Sequence, residues 1–86
     1  MEFQSSLELI EYINQLKSNL IESDNTQASK VIEEGLMALN GLTDGWAMLL
    51  ESIELVQSEF NSELNEYQLT MLDTIQNSLR KVVYRS

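Results

Sequence analysis

The chain has 86 residues with 43% hydrophobic content and a formal charge of −9, from 14 acidic and 5 basic side chains. A chain of this size makes one domain that buries only about 60–65% of its unfolded surface, and its hydrophobic fraction argues for folding over disorder. With no Cys and no His, disulfides, thiolate or imidazole metal sites, haem ligation and Cys-His or Ser-His catalysis are excluded.

Ser5-Ser6-Leu7-Glu8 has the form of a capping box, in which the Ser5 hydroxyl and the Glu8 carboxylate each bond the other residue's backbone N–H. Leu9, Ile13, Leu16 and Leu20 then recur at helical spacing while Glu8, Glu11, Lys17 and Glu22 fall on other faces, which predicts a first helix over about 5–22. Ser23, Asp24, Asn25 and Thr26 all bond their own backbone readily and predict a turn or a kink. Asp24, with Gln27 three residues on, is the expected cap of the next helix.

The second helix, over about 25–40, carries Ala28, Val31, Ile32, Leu36 and Leu39 on one face. Gly35 inside it costs about 1 kcal/mol relative to Ala, so close packing against another backbone is the expected return. Gly41 suits the left-handed position after a helix end. Thr43 or Asp44 then caps the third helix, and so short a connection joins antiparallel neighbours.

From Asp44 to Tyr84 there is no Pro, and no Gly after Gly45. Trp46, Leu49, Ile53, Val56, Phe60, Leu64, Tyr67, Met71, Ile75 and Val82 fall within a sector about 100° wide on one helical wheel. One unbroken helix over about 44–84 is therefore the expectation, with a break at Asn61-Ser62 and a four-helix bundle as the alternative. Trp46 is the expected plug at the hairpin end of the core, with Met37, Met48 and Met71 as adaptable filler or contact surface. Arg80, Lys81 and Arg85 complement the negative end of the helix dipole.

The predicted fold is thus all-α, a helical hairpin or three-helix arrangement in one domain, residues 1–86. A helix over 44–84 would be about 60 Å long against about 25 Å for each of the first two. Either the Ser23–Thr26 segment only kinks and residues 5–40 form one arm of a long hairpin, or helix one folds back and leaves the far half uncovered; Leu64, Tyr67, Met71, Ile75, Leu79 and Val82 are then the predicted partner-binding stripe.

The candidate chemistry fails on residue type. Glu22, Asp24, Thr26 and Glu33 have the ligand spacing of a calcium loop, but Gln27 stands where the sharp turn needs Gly. Glu51 and Glu54 lie one turn apart, yet a carboxylate di-iron site also uses His. Gly35, Gly41 and Gly45 form no phosphate loop. No catalytic residue, metal, cofactor or small-molecule substrate is therefore expected.

No Lys or Arg lies between Val31 and Leu79, a stretch that holds Glu33, Glu34, Asp44, Glu51, Glu54, Glu59, Glu63, Glu66 and Asp73. This field repels nucleic acid and anionic membrane and favours basic partners. No apolar run reaches the roughly 18 residues of a membrane span, and Met1-Glu2-Phe3-Gln4 lacks signal-peptide character, so a cytoplasmic location is expected. The expected function is a non-catalytic interaction module, such as a small chaperone, adaptor or assembly factor, that binds a partner helix or self-associates as a homo-oligomer. The alternative is an acidic inhibitor or immunity-type protein that masks a basic, nucleic-acid-binding surface through Glu51, Glu54, Glu59, Glu63, Glu66 and Asp73.

Overall fold

The computed structural model describes residues 6–40 and 45–84. They form four α-helices: α1 (Ser6–Glu22), α2 (Thr26–Met37, continued by a 3₁₀ turn over Ala38–Asn40), α3 (Gly45–Glu59) and α4 (Glu66–Val83). The capping residue Ser5, the turn residue Gly41, the caps Thr43 and Asp44, and Arg85 lie outside the described residues.

In α1 the stripe Leu9, Ile13, Leu16 and Leu20 is buried in full. The helix stops because Asp24 takes the left-handed conformation, with φ 64°. Asn25 N then donates to Leu20 O at 2.7 Å and Asp24 N to Ile21 O at 3.2 Å, the two crossed bonds of a Schellman ending. The segment therefore reverses the chain: Lys17 on α1 lies 4.0 Å from Glu33 on α2. Asp24 is not the cap expected of it. The cap position of α2 belongs to Asn25, which makes no side-chain cap bond and instead donates to Ser23 Oγ and Glu63 O, both at 3.4 Å.

Along α2, Ala28, Ile32 and Gly35 face inward. Gly35 does serve close packing, but against side chains and not the backbone expected: a Cβ there would lie 2.7 Å from Ser52 Oγ and 3.0 Å from Leu49 Cδ1 of α3. At the other end of this helix pair a Cβ on Gly45 would meet Ala38 O at 2.6 Å, so α3 starts hard against the 3₁₀ turn that ends α2. Trp46 packs half-buried on the core beside it.

The single helix over 44–84 is not formed. α3 ends at Glu59, Asn61–Glu63 makes a 3₁₀ turn, and Leu64 is extended at ψ 145°. The break has a local cause, a capping box at Asn65. Asn65 Oδ1 accepts from Gln68 N at 2.8 Å, and Gln68 Oε1 accepts from Asn65 N at 3.1 Å. Two orphan N–H groups of the new helix are satisfied together. Asn61 and Ser62 sit within the turn, and the capping falls to Asn65. The apolar phase also resets. At 100° per residue, the buried set Gln68, Met71, Leu72, Ile75, Gln76 and Leu79 of α4 is centred about 90° from that of α3.

The result is the four-helix arrangement. α1 packs on α2, α2 on α3, α3 on α4, and α4 returns to α1. Cross-helix pairs such as Lys17–Glu33, Gly35–Ser52 and Glu54–Arg80 show each helix antiparallel to the next. The core draws on every helix, with Ile13, Leu16, Leu20, Ile32, Leu49, Ile53, Met71, Leu72, Ile75 and Leu79 among its fully buried side chains. The extents are 36 × 26 × 21 Å, far short of the rod that a continuous last helix requires.

Candidate interaction surface

The bundle divides the six residues expected to bind a partner. Leu64, Met71, Ile75 and Leu79 lie in the core, while Tyr67 and Val82 are 60% and 40% exposed. As a continuous exposed stripe the prediction is overturned. The reversal at Asp24 lays α1 along α4 and covers the face that would otherwise be bare. Met71, with 1% of its surface accessible, can be reached only by opening the bundle.

The exposed large apolar residues among the described ones are Leu7, Ile21, Met37, Met48, Leu55, Tyr67, Val82 and Tyr84. Singly exposed apolar side chains are ordinary on a protein surface. Met48 and Leu55 stand apart because they lie two turns apart on the same face of α3 and line one groove. Its walls are Glu34 and Ala38 from α2 and Met48, Glu51 and Leu55 from α3, with Gly35 and Ser52 where the helices meet. The groove holds about 290 Å³. Gly35 lets the two helices approach closely at its base, where a Cβ would meet Ser52.

Glu34 and Glu51 are exposed, one on each helix of the groove. Elsewhere Glu54 and Glu33 are engaged across helices. Glu54 Oε2 accepts from Arg80 Nη2 and from Gln76 Nε2, each at 3.4 Å, and Glu33 faces Lys17. Glu59, Glu63, Glu66 and Asp73 remain at the surface of α3, α4 and the turn between them, with Asp73 Oδ2 accepting from Asn77 Nδ2 at 3.5 Å. Arg80 and Lys81 occupy the last turn of α4, as the dipole argument requires.

A second depression, of about 340 Å³, is lined by Ile21, Thr26, Gln27, Ser29, Lys30 and Glu33. It mixes charges and offers a single exposed large apolar side chain, Ile21. Among the described residues no group of three or more Asp or Glu side chains is placed to hold a metal ion, and no helix is long and apolar enough to cross a membrane.

The groove is hard to see in the sequence because its parts lie on different helices. Gly35 carries one signal, a glycine inside a helix. Met48 and Leu55 carry another: they fall outside the inward stripe of α3 at a spacing of seven. Comparison with protein-family models, with curated proteins and with solved structures finds no match.

Proposed function

We propose that this chain is a non-catalytic protein–protein interaction module, an adaptor, small chaperone or assembly factor, that seats a segment of a partner in the α2–α3 groove. The observation that supports the reading is the pairing of two exposed apolar residues, Met48 and Leu55, with a carboxylate on each side, Glu34 and Glu51. A cytoplasmic setting is part of the proposal, and imaging of a tagged chain in its native host reads it.

The occupant is not the same groove of a second copy. A second copy docked groove to groove would bring Glu34 and Glu51 against the same carboxylates, and like charges across an interface cost several kcal/mol. Self-association therefore needs another face.

A second reading keeps the acid surface and drops the groove. Glu51, Glu59, Glu63, Glu66 and Asp73 are exposed, which suits a flat contact that masks a basic surface of a target. Glu54 is the member of this set already committed, to Arg80 and Gln76.

A photo-crosslinking amino acid placed at position 55, 63 or 67 of the intact chain in its native host separates the two. The groove reading predicts one dominant protein adduct from position 55 and none from 67. Adduct from 63 without adduct from 55 transfers the conclusion to the masking surface.

A further inference from the structure

We infer that the occupant of the α2–α3 groove is a cationic amphipathic helix, with an aliphatic stripe seated between Met48 and Leu55 and Lys or Arg on both flanks of that stripe. The inference rests on the groove reading and adds the chemistry of the ligand.

Three observations lead there. The first is shape. The described residues contain no strand and so no open sheet edge on which an extended peptide could hydrogen-bond. The trough between two packed helices instead accepts the side-chain ridge of a third. Met48 and Leu55 are seven residues apart, about 10 Å along the axis, a span matched by two successive anchors of a partner helix.

The second is charge on both walls. Glu34 rises from α2 and Glu51 from α3, both exposed, so a helix lying in the trough meets a carboxylate on either side. Neutral flanks would leave these acids partly dehydrated without a partner, and acidic flanks would repel them. Basic flanks answer both.

The third is the surrounding field. Every charged side chain from residue 31 to residue 79 is acidic. Arg80 is drawn to Glu54 at 3.4 Å and Lys17 to Glu33 at 4.0 Å, and no Lys or Arg lines the groove. A cationic helix is steered toward this side of the molecule before contact. The adaptable Met48 side chain tolerates variation in the anchor it meets.

The test uses the full chain, isotope-labelled, and three synthetic amphipathic peptides that share one leucine stripe, flanked by lysines, by glutamines or by glutamates. Amide spectra follow Gly35 and Leu55. The lysine peptide should shift both resonances saturably, the glutamine peptide should bind about tenfold more weakly, and the glutamate peptide should leave them unmoved. Exchanging Glu34→Gln and Glu51→Gln together should weaken the lysine peptide about tenfold, and Leu55→Ser should remove saturation at Gly35. All three positions are exposed, and spectral dispersion checks that the variants stay folded.

Equal binding of the lysine and glutamine peptides would overturn the inference about charge and leave the groove reading standing. So would a partner crosslinked at position 55 with no response of Gly35 to any peptide. Shifts from the lysine peptide confined to Glu59, Glu63 and Glu66 would overturn it in favour of diffuse attraction to the acid surface.

Discussion

The carboxamide of Gln68, with no accessible surface in the first turn of α4, donates to Asn19 Oδ1 of α1 at 2.8 Å. Its second N–H reaches Ser23 Oγ, also at 2.8 Å, and its oxygen closes the capping box on Asn65 N. One side chain thus ends the α3–α4 turn and fastens α4 to the end of α1. Among the described residues no buried side-chain nitrogen or oxygen lacks a partner. Gln68→Met keeps the volume and removes three hydrogen bonds, so it should lower stability by about 1–3 kcal/mol. In a double-mutant cycle with Asn19→Ala the losses should be non-additive by at least about 0.5 kcal/mol. Urea unfolding of the four proteins measures both quantities, and simple additivity would refute the coupling.

This same residue marks where the sequence is legible and where it is not. The helix over Ser6–Glu22, the turn at Ser23–Asn25 and the packing role of Gly35 can be read directly, because a four-residue apolar repeat, a cluster of backbone-bonding side chains and a mid-helix glycine each have one dominant physical meaning. The break at Phe60–Asn65 is legible only as the alternative at Asn61-Ser62. It uses no Gly or Pro, its Asn-x-x-Gln cap is inconspicuous among polar residues, and the new buried face includes Gln68 and Gln76. Counting apolar residues alone admits the exposed Tyr67 to the stripe and leaves those glutamines out. The stripe read in that way is not a continuous exposed edge, since Leu64, Met71, Ile75 and Leu79 are buried.

Asp24 holds a backbone conformation that suits glycine. It sits at φ 64° with its side chain exposed, where an L side chain is strained and glycine is not. Asp24→Gly should stabilise the chain by about 0.5–1 kcal/mol in urea unfolding. Asp24→Asn, which removes the charge but keeps a side chain, should gain less. Destabilisation by glycine would mean that the Schellman ending does not limit the turn.

Gly35 is held to its identity by contact and not by φ. Alanine is the better helix former by about 1 kcal/mol, yet its Cβ would stand 2.8 Å from Ser52 Cβ. Overpacking of this kind costs about 1–3 kcal/mol, so Gly35→Ala should be neutral to destabilising. A control at an exposed helical position, Thr70→Ala, should stabilise slightly or change nothing. Clear stabilisation by Gly35→Ala would show that α2 and α3 are not in close contact there, and the groove would lose its floor.

The closed bundle and its groove both depend on which apolar residues face the solvent. Methyl spectra of methionine-labelled protein with a soluble paramagnetic agent read this directly, because Met37 is 66% exposed, Met48 is 39% exposed on the groove wall and Met71 is buried in the core. The Met37 and Met48 methyl signals should broaden with added agent, and the Met71 signal should persist. Broadening of Met71 to the extent of Met48 would contradict the closed bundle and return the binding edge to α4.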